Sequence, residues 1–157
     1  MYQQILVAVA LQQWEELTPH ALAARDVAAA LAKGSGDKLS VLSVYDYGTI
    51  KEPPLSAEQA ARYREDMMGR IDALMETKMK AFVAGVQAME IAVTPILRAG
   101  EPRKTIIEVA ERLPADLLII GAHSKRSVLD VVLGGTAAYV IRHAPCPVLM
   151  VEPRRKT

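Results

Sequence analysis

The stretch Ala115–Ala137, ADLLIIGAHSKRSVLDVVLGGTA, decides the architecture. Leu117, Leu118, Ile119 and Ile120 form an unbroken apolar run between Asp116 and Gly121. A run that short, with no polar alternation, suits a strand buried on both faces of a parallel sheet. It ends in a glycine, passes through a polar loop, and reaches the pair Gly134-Gly135 and then Thr136 at the start of a helix. Glycines and backbone N–H groups at a strand end, aimed at a helix N-terminus, are a general means of holding an anion such as a phosphate.

Downstream, Thr136 to His143 reads as a helix stopped by Ala144-Pro145-Cys146-Pro147, and Val148-Leu149-Met150-Val151 as a last strand ended by Glu152-Pro153. Upstream, Gly100-Glu101-Pro102 turns the chain into a helix from about Arg103 to Leu113, with Ile106, Val109 and Ala110 facing in. Before it, Ala92 to Leu97 reads as a strand interrupted by Pro95. Proline cannot donate to a ladder, so an edge position is expected. Ser56 and Glu58 open a long helix to about Gln87, whose Ile71, Met75, Phe82 and Val86 recur at helical spacing. Met68, Met75 and Met79 are read as core filling.

Tyr47 to Leu55, with Gly48, Pro53 and Pro54, is expected to be a mobile connection. Leu39 to Tyr45 is a second strand. Thr18-Pro19 begins an alanine-rich helix to about Lys33, with Leu22, Val27 and Leu31 as its bulkier apolar residues, and Gly34-Ser35-Gly36 stops it. Ile5 to Ala10 is a continuous apolar run and a central strand. The order strand, helix, strand, repeated to a fifth strand, predicts an α/β domain: a single open five-stranded parallel sheet, doubly wound by right-handed crossovers. Ligands bind such sheets at the carboxyl ends of the strands, where strand order reverses. The loops after the first and fourth strands open there.

At 157 residues the chain forms one domain, residues 1–153, followed by a short basic tail, 154–157, read as solvated. Aromatic residues are only 4%, so the core is aliphatic and alanine-rich. The net charge of +1 gives no long-range attraction to nucleic acid or to an anionic membrane. One cysteine excludes an internal disulfide and a cysteine-cluster metal site. With no signal-like segment and no apolar stretch of spanning length, a cytoplasmic location is expected.

The chain resembles the universal stress protein family along nearly its whole length. The resemblance rests on Ile5-Leu6-Val7-Ala8-Val9 and on Gly100-Glu101-Pro102 followed by Ile106 and Ala110. It continues through Asp116-Leu117-Leu118-Ile119-Ile120-Gly121, Leu133-Gly134 and His143-Ala144-Pro145-Cys146-Pro147-Val148-Leu149. It implies strand order 3-2-1-4-5, in a fold similar to that of the adenine nucleotide alpha hydrolases. It also implies a homodimer, often paired through the last strand, here Val148, Leu149, Met150 and Val151.

Family members divide into those that bind ATP and those that do not. The binders' pattern, G-x2-G-x9-G-[ST], falls here on Gly121, Ser124, Gly134 and Gly135, with Thr136 one position later. The first and third glycines match; Ser124 replaces the second, and Gly135 replaces the hydroxyl residue. The binders also carry an aspartate at the end of the first strand, near base and ribose, where this chain has Ala10. Losing such an acceptor costs about 1–3 kcal/mol, or one to two decades of affinity. The phosphate cradle is mostly backbone, and Ala8 and Val44 offer apolar walls to a base.

Two readings follow from the resemblance. One is an ATP- or adenine-nucleotide-binding regulator, with or without Mg, held by Ala8, Ala10, Val44, Gly121, His123, Ser124, Gly134, Gly135 and Thr136. The other is a non-binding member that works as a dimeric protein-interaction module with an unnamed partner. His123 reads as either a phosphate contact or an exposed loop histidine. Lys125 and Arg126 are read as solvated, Trp14 as packed on its own domain, Cys146 as a structural thiol, and His20 and His143 as structural. No Walker A lysine, nucleophile elbow or HExxH pattern is present, so no catalytic residue is assigned. A slow nucleotide hydrolase is a third reading, for which the sequence offers no base.

Overall fold

A computed structural model describes residues 2–12, 17–33, 38–121 and 135–153. Nine elements alternate in order: β1 (Gln4–Ala8), α1 (Pro19–Ala32), β2 (Lys38–Tyr45), α2 (Ala57–Gln87), β3 (Val93–Ala99), α3 (Pro102–Arg112), β4 (Leu117–Gly121), α4 (Gly135–His143) and β5 (Val148–Val151). All the strand pairs are parallel, and the sheet order is β3-β2-β1-β4-β5. The fold expected from the sequence is therefore the fold observed. Pro95 sits on edge strand β3 opposite Val41, as its missing donor requires.

Local chemistry explains the helix starts. The Thr18 hydroxyl accepts from Ala21 N–H at 3.1 Å, with Pro19 in the first turn of α1. Ser56 and Gln59 form a reciprocal capping box on α2. The Glu101 carboxylate accepts from the N–H groups of Arg103 and Lys104 at 3.1 and 3.0 Å. These bonds, that of Lys104 foremost, hold the Glu101 carboxyl below its ordinary range.

Both sheet faces are covered. α1 and α2 lie over Ile5, Val7, Leu39, Val41 and Ile119; Leu6, Leu42, Leu118 and Ile120 belong to the cluster with residues of α3 and α4. The buried residues of α1 are not its bulky ones: Ala21, Ala24, Ala28, Ala29 and Ala32 face in, and Leu31 is 39% exposed. Small side chains let this helix lie close to the strands. α2 buries Met75, Met79, Phe82, Val83 and Val86, bearing out Met75 and Met79 as core filling. Gly85 leaves room for the Arg25 guanidinium, which sits 5.9 Å from the Phe82 ring centre. At the amino end of the sheet, the Asp116 carboxylate accepts from Gln3 and Gln4 N–H at 2.7 and 3.1 Å, tying β1 to β4.

The apolar run of β1 outlasts its strand. The ladder ends at Ala8, although Val9 N–H still bonds the Leu42 carbonyl at 2.9 Å, and Ala10 is exposed. Cys146 is half-buried, and burial, with the nearby Asp116 carboxylate, pushes its thiol above the ordinary range. That agrees with a structural role rather than a reactive one.

Gly69 lies on the exposed side of α2, and a Cβ there would meet nothing within 4 Å. Gly69→Ala should therefore stabilise the protein by about 0.5–1 kcal/mol through helix propensity alone. A thermal unfolding midpoint raised by roughly 1–4 °C is expected; a lower midpoint would show that the site is not open.

Candidate functional site

Strand order reverses between β1 and β4, and a cavity of about 300 Å³ opens there at the carboxyl ends of the strands. Two strands and their extensions line it: Ala8, Val9, Ala10 and Gln12 along β1, and the alternate residues Leu42, Val44 and Asp46 along β2. Ile120 and Gly121 close it from β4. The helices contribute Thr18, His20 and Ala21 beside α1, Pro102 and Ile106 from α3, and Gly135, Thr136, Ala137 and Val140 from α4.

Of the residues expected at the site, Ala8, Ala10, Val44, Gly121, Gly135 and Thr136 all line this cavity. His123, Ser124 and Gly134 lie outside the described residues, as do Trp14, Lys125 and Arg126. His20, read as structural from sequence, lies on the cavity wall. His143 does not: its ring stacks on Tyr139 in the last turn of α4, centres 4.1 Å apart.

Three helices begin at the cavity. Thr18 caps α1 and Glu101 caps α3. At α4 the first-turn residues Gly135, Thr136 and Ala137 line the cavity, and the first N–H groups of a helix have no partner within it. The macrodipole adds roughly half a positive charge there. Arg103 adds more, because its Nη2 lies 2.6 Å from where a Cβ on Gly135 would stand. Its ion pair with Glu101 is long, 3.9 Å, and half-exposed. The α4 end of the cavity therefore suits an anion.

Gly121 has a separate reason. A Cβ there would lie 3.2 Å from the His20 carbonyl oxygen, so the glycine lets α1 approach the end of β4.

The opposite rim is braced. The Gln12 amide donates to the Asp46 carbonyl at 2.7 Å and accepts from Asp46 N–H at 3.0 Å. The Asp46 carboxylate accepts from Gly48 N–H at 2.8 Å. Lys78 on α2 donates to the carbonyls of Leu11 and Gln12 at 3.0 and 3.1 Å. Tyr45 and Tyr47 both donate to Asp72 Oδ1 of α2, at 2.8 and 2.5 Å. Burial first, then the bond to Asp72, pushes the Tyr45 hydroxyl far above its ordinary value; at Tyr47 the bond to Asp72 is the larger cause.

Asp46, Gln12 and Arg103 were not among the residues singled out from sequence. The first two carry a readable signal: they continue the two-residue alternation of Leu42-Val44 and Ala8-Ala10 past the strand ends. Arg103 carries none, since its place beside Gly135 depends on the packing of α3 against α4.

Fold and cavity define a doubly wound α/β domain with a crevice at its topological switch point. The Universal stress protein family model matches residues 1–152, and the chain belongs to that family. It is 32% identical over 74 residues to the universal stress protein Sll1388 of Synechocystis. That match spans 47% of the chain and about half (48%) of the relative. Among solved structures, protein MJ0577 of Methanocaldococcus jannaschii superposes with a TM-score of 0.78 over 100% of this chain and 99% of that one, at 22% identity. A universal stress protein family protein of Arabidopsis thaliana, solved with AMP bound, gives a TM-score of 0.69 at 20% identity, covering 97% and 92% of the two chains.

The tyrosine brace predicts the alkaline behaviour. In the unfolded chain Tyr45 ionises near pH 10, whereas in the folded chain it keeps its proton well beyond that. The folded state then binds more protons, so its stability is full below pH 10 and falls as pH rises above it. Tyr45→Phe should lower neutral-pH stability by about 1 kcal/mol and flatten that alkaline decline, as measured by urea unfolding at pH 8 to 11. An equally steep decline in the variant would show that Tyr45 is not its source.

Proposed function

We propose that the crevice binds an adenine nucleotide, ATP or a close relative, and that the protein acts as a cytoplasmic, homodimeric stress-response regulator. The observation that carries this reading is the pairing of the first turn of α4 with the apolar walls of Ala8, Leu42 and Val44 in one cavity. An anionic group at one end and a flat apolar ring at the other describe a nucleotide. The AMP-bound Arabidopsis relative supports it, as does membership of the family.

The residues present fit such a ligand. Gly135, Thr136 and Ala137 of α4 line the place for phosphate, with Arg103 beside Gly135, and β1 and β2 supply the walls. Mg would travel with the phosphates: among the described residues no group of three or more His, Cys, Asp or Glu comes together. Binding, read by a protein partner, is the proposed output, and no bond-breaking step is assigned.

The test is thermal unfolding with and without millimolar Mg-ATP. A ligand at 100 times its dissociation constant adds about 2.7 kcal/mol, a rise of roughly 5–10 °C for a chain of this size. Gly135→Val, which puts a branched side chain where Arg103 and the α4 terminus meet, should remove most of that rise. No rise in the wild type would overturn nucleotide binding and favour the interaction-module reading.

For the dimer, β5 is bonded among the described residues only to β4, as an edge strand of the sheet, and Leu149 on it is 38% exposed. An exposed strand edge is a template for pairing with a second copy. Leu149→Lys should shift the protein from dimer to monomer in sedimentation velocity; an unchanged dimer would place the interface elsewhere.

A further inference from the structure

We infer that Asp46 reads the base of the nucleotide, by accepting a hydrogen bond from an exocyclic amine such as that of adenine. The inference rests on the nucleotide reading of the crevice and goes further, to the residue that selects among bases.

Among the described residues Asp46 is the sole acidic residue lining the cavity. It lies past the end of β2, and β1 stands between β2 and β4. Two strand spacings, roughly 10 Å, therefore separate it from the end of β4. A nucleotide with its phosphate at the α4 terminus, which adjoins β4, directs its base toward β2. The apolar side chains of Leu42 and Val44 lead to Asp46 along one face of that strand.

The carboxylate is held for the task. Its main chain is clamped on both sides by the Gln12 amide, and Gln12 is itself pinned through its carbonyl by Lys78. Gly48 N–H occupies Oδ1, and among the described residues no other donor bonds the carboxylate. Oδ2 is left as an acceptor for a single donor. Adenine presents one amine at its outer edge. Guanine and hypoxanthine present a carbonyl oxygen at the same position, and an oxygen facing a carboxylate is repelled.

The experiment compares ATP with inosine triphosphate, which differs at that position by carbonyl for amine. Dissociation constants are measured by titration calorimetry for the wild type, Asp46→Asn and Asp46→Ala. The wild type should prefer ATP by about tenfold, the value of one hydrogen bond to a charged acceptor at a half-open site. In Asp46→Asn the Gly48 N–H keeps an oxygen at Oδ1, so the amide nitrogen takes the outer place and donates. The preference should then vanish or turn toward inosine triphosphate. In Asp46→Ala it should vanish without reversing.

An ATP preference unchanged in both variants would overturn the role of Asp46 while leaving the nucleotide site standing. A wild type that binds neither nucleotide would overturn the site and the inference with it. A wild type that prefers inosine triphosphate would overturn the inference alone.

Discussion

A parallel strand at the centre of a sheet has every backbone N–H and C=O committed to its neighbours, and helices cover both its faces. Neither its edges nor its faces are open to a ligand. In this protein β1, β2 and β4 are such strands, with Ile5, Leu6, Val7, Val41, Leu42, Leu118 and Ile119 all essentially inaccessible. Only the strand ends remain. The chain leaves β1 toward β2 on one side, and returns through α3 to β4 on the other. The connections diverge at that reversal, and the crevice is the gap they leave. The site follows from the crossover rule, before any particular side chain is considered.

Divergent loops form a usable site only if something holds them. The long helix α2 supplies much of that support from outside the cavity. Lys78 pins the backbone beyond β1, and Asp72 collects the hydroxyls of Tyr45 and Tyr47 at the end of β2. Gln12 then bridges the two extensions through the main chain of Asp46. The same helix buries Met75, Met79 and Phe82 against the sheet, so the rim is fastened to the core. A change in how α2 seats would reach the cavity through Lys78 and Asp72, with no contact between α2 and a ligand.

The sheet was legible because its signals are local. Unbroken apolar runs mark β1 and β4, Pro95 marks an edge, and Thr18, Ser56 and Glu101 stand where helices begin. The cavity was legible in part for the same reason: Gly121 and Gly135 punctuate a strand end and a helix start. For α1 the buried face is made of alanines, Ala21, Ala24, Ala28, Ala29 and Ala32, and an alanine-rich composition does not show by itself which side of the helix faces in. His20 lines the cavity and Arg103 stands beside Gly135 through packing between elements far apart in sequence, which no local pattern encodes. Asp46 lay within reach of the two-residue period, but a carboxylate past a strand end reads first as a turn residue. It is also that, through its bond to Gly48 N–H.

The two ends of the crevice rest on different chemistry. At α4 the donors are backbone N–H groups and a dipole, which any sequence able to form that helix retains. The Arg103 guanidinium beside Gly135 is the side-chain contribution at that end. At β2 the polar group is one side chain, the Asp46 carboxylate, which accepts from Gly48 N–H while Gln12 holds the Asp46 main chain by two hydrogen bonds. Selectivity there can change with a single substitution while the sheet, the helix and the anion end stay as they are. Nothing in the fold then requires that chains sharing this crevice share a ligand, since the fold supplies the crevice and individual residues decide what it holds.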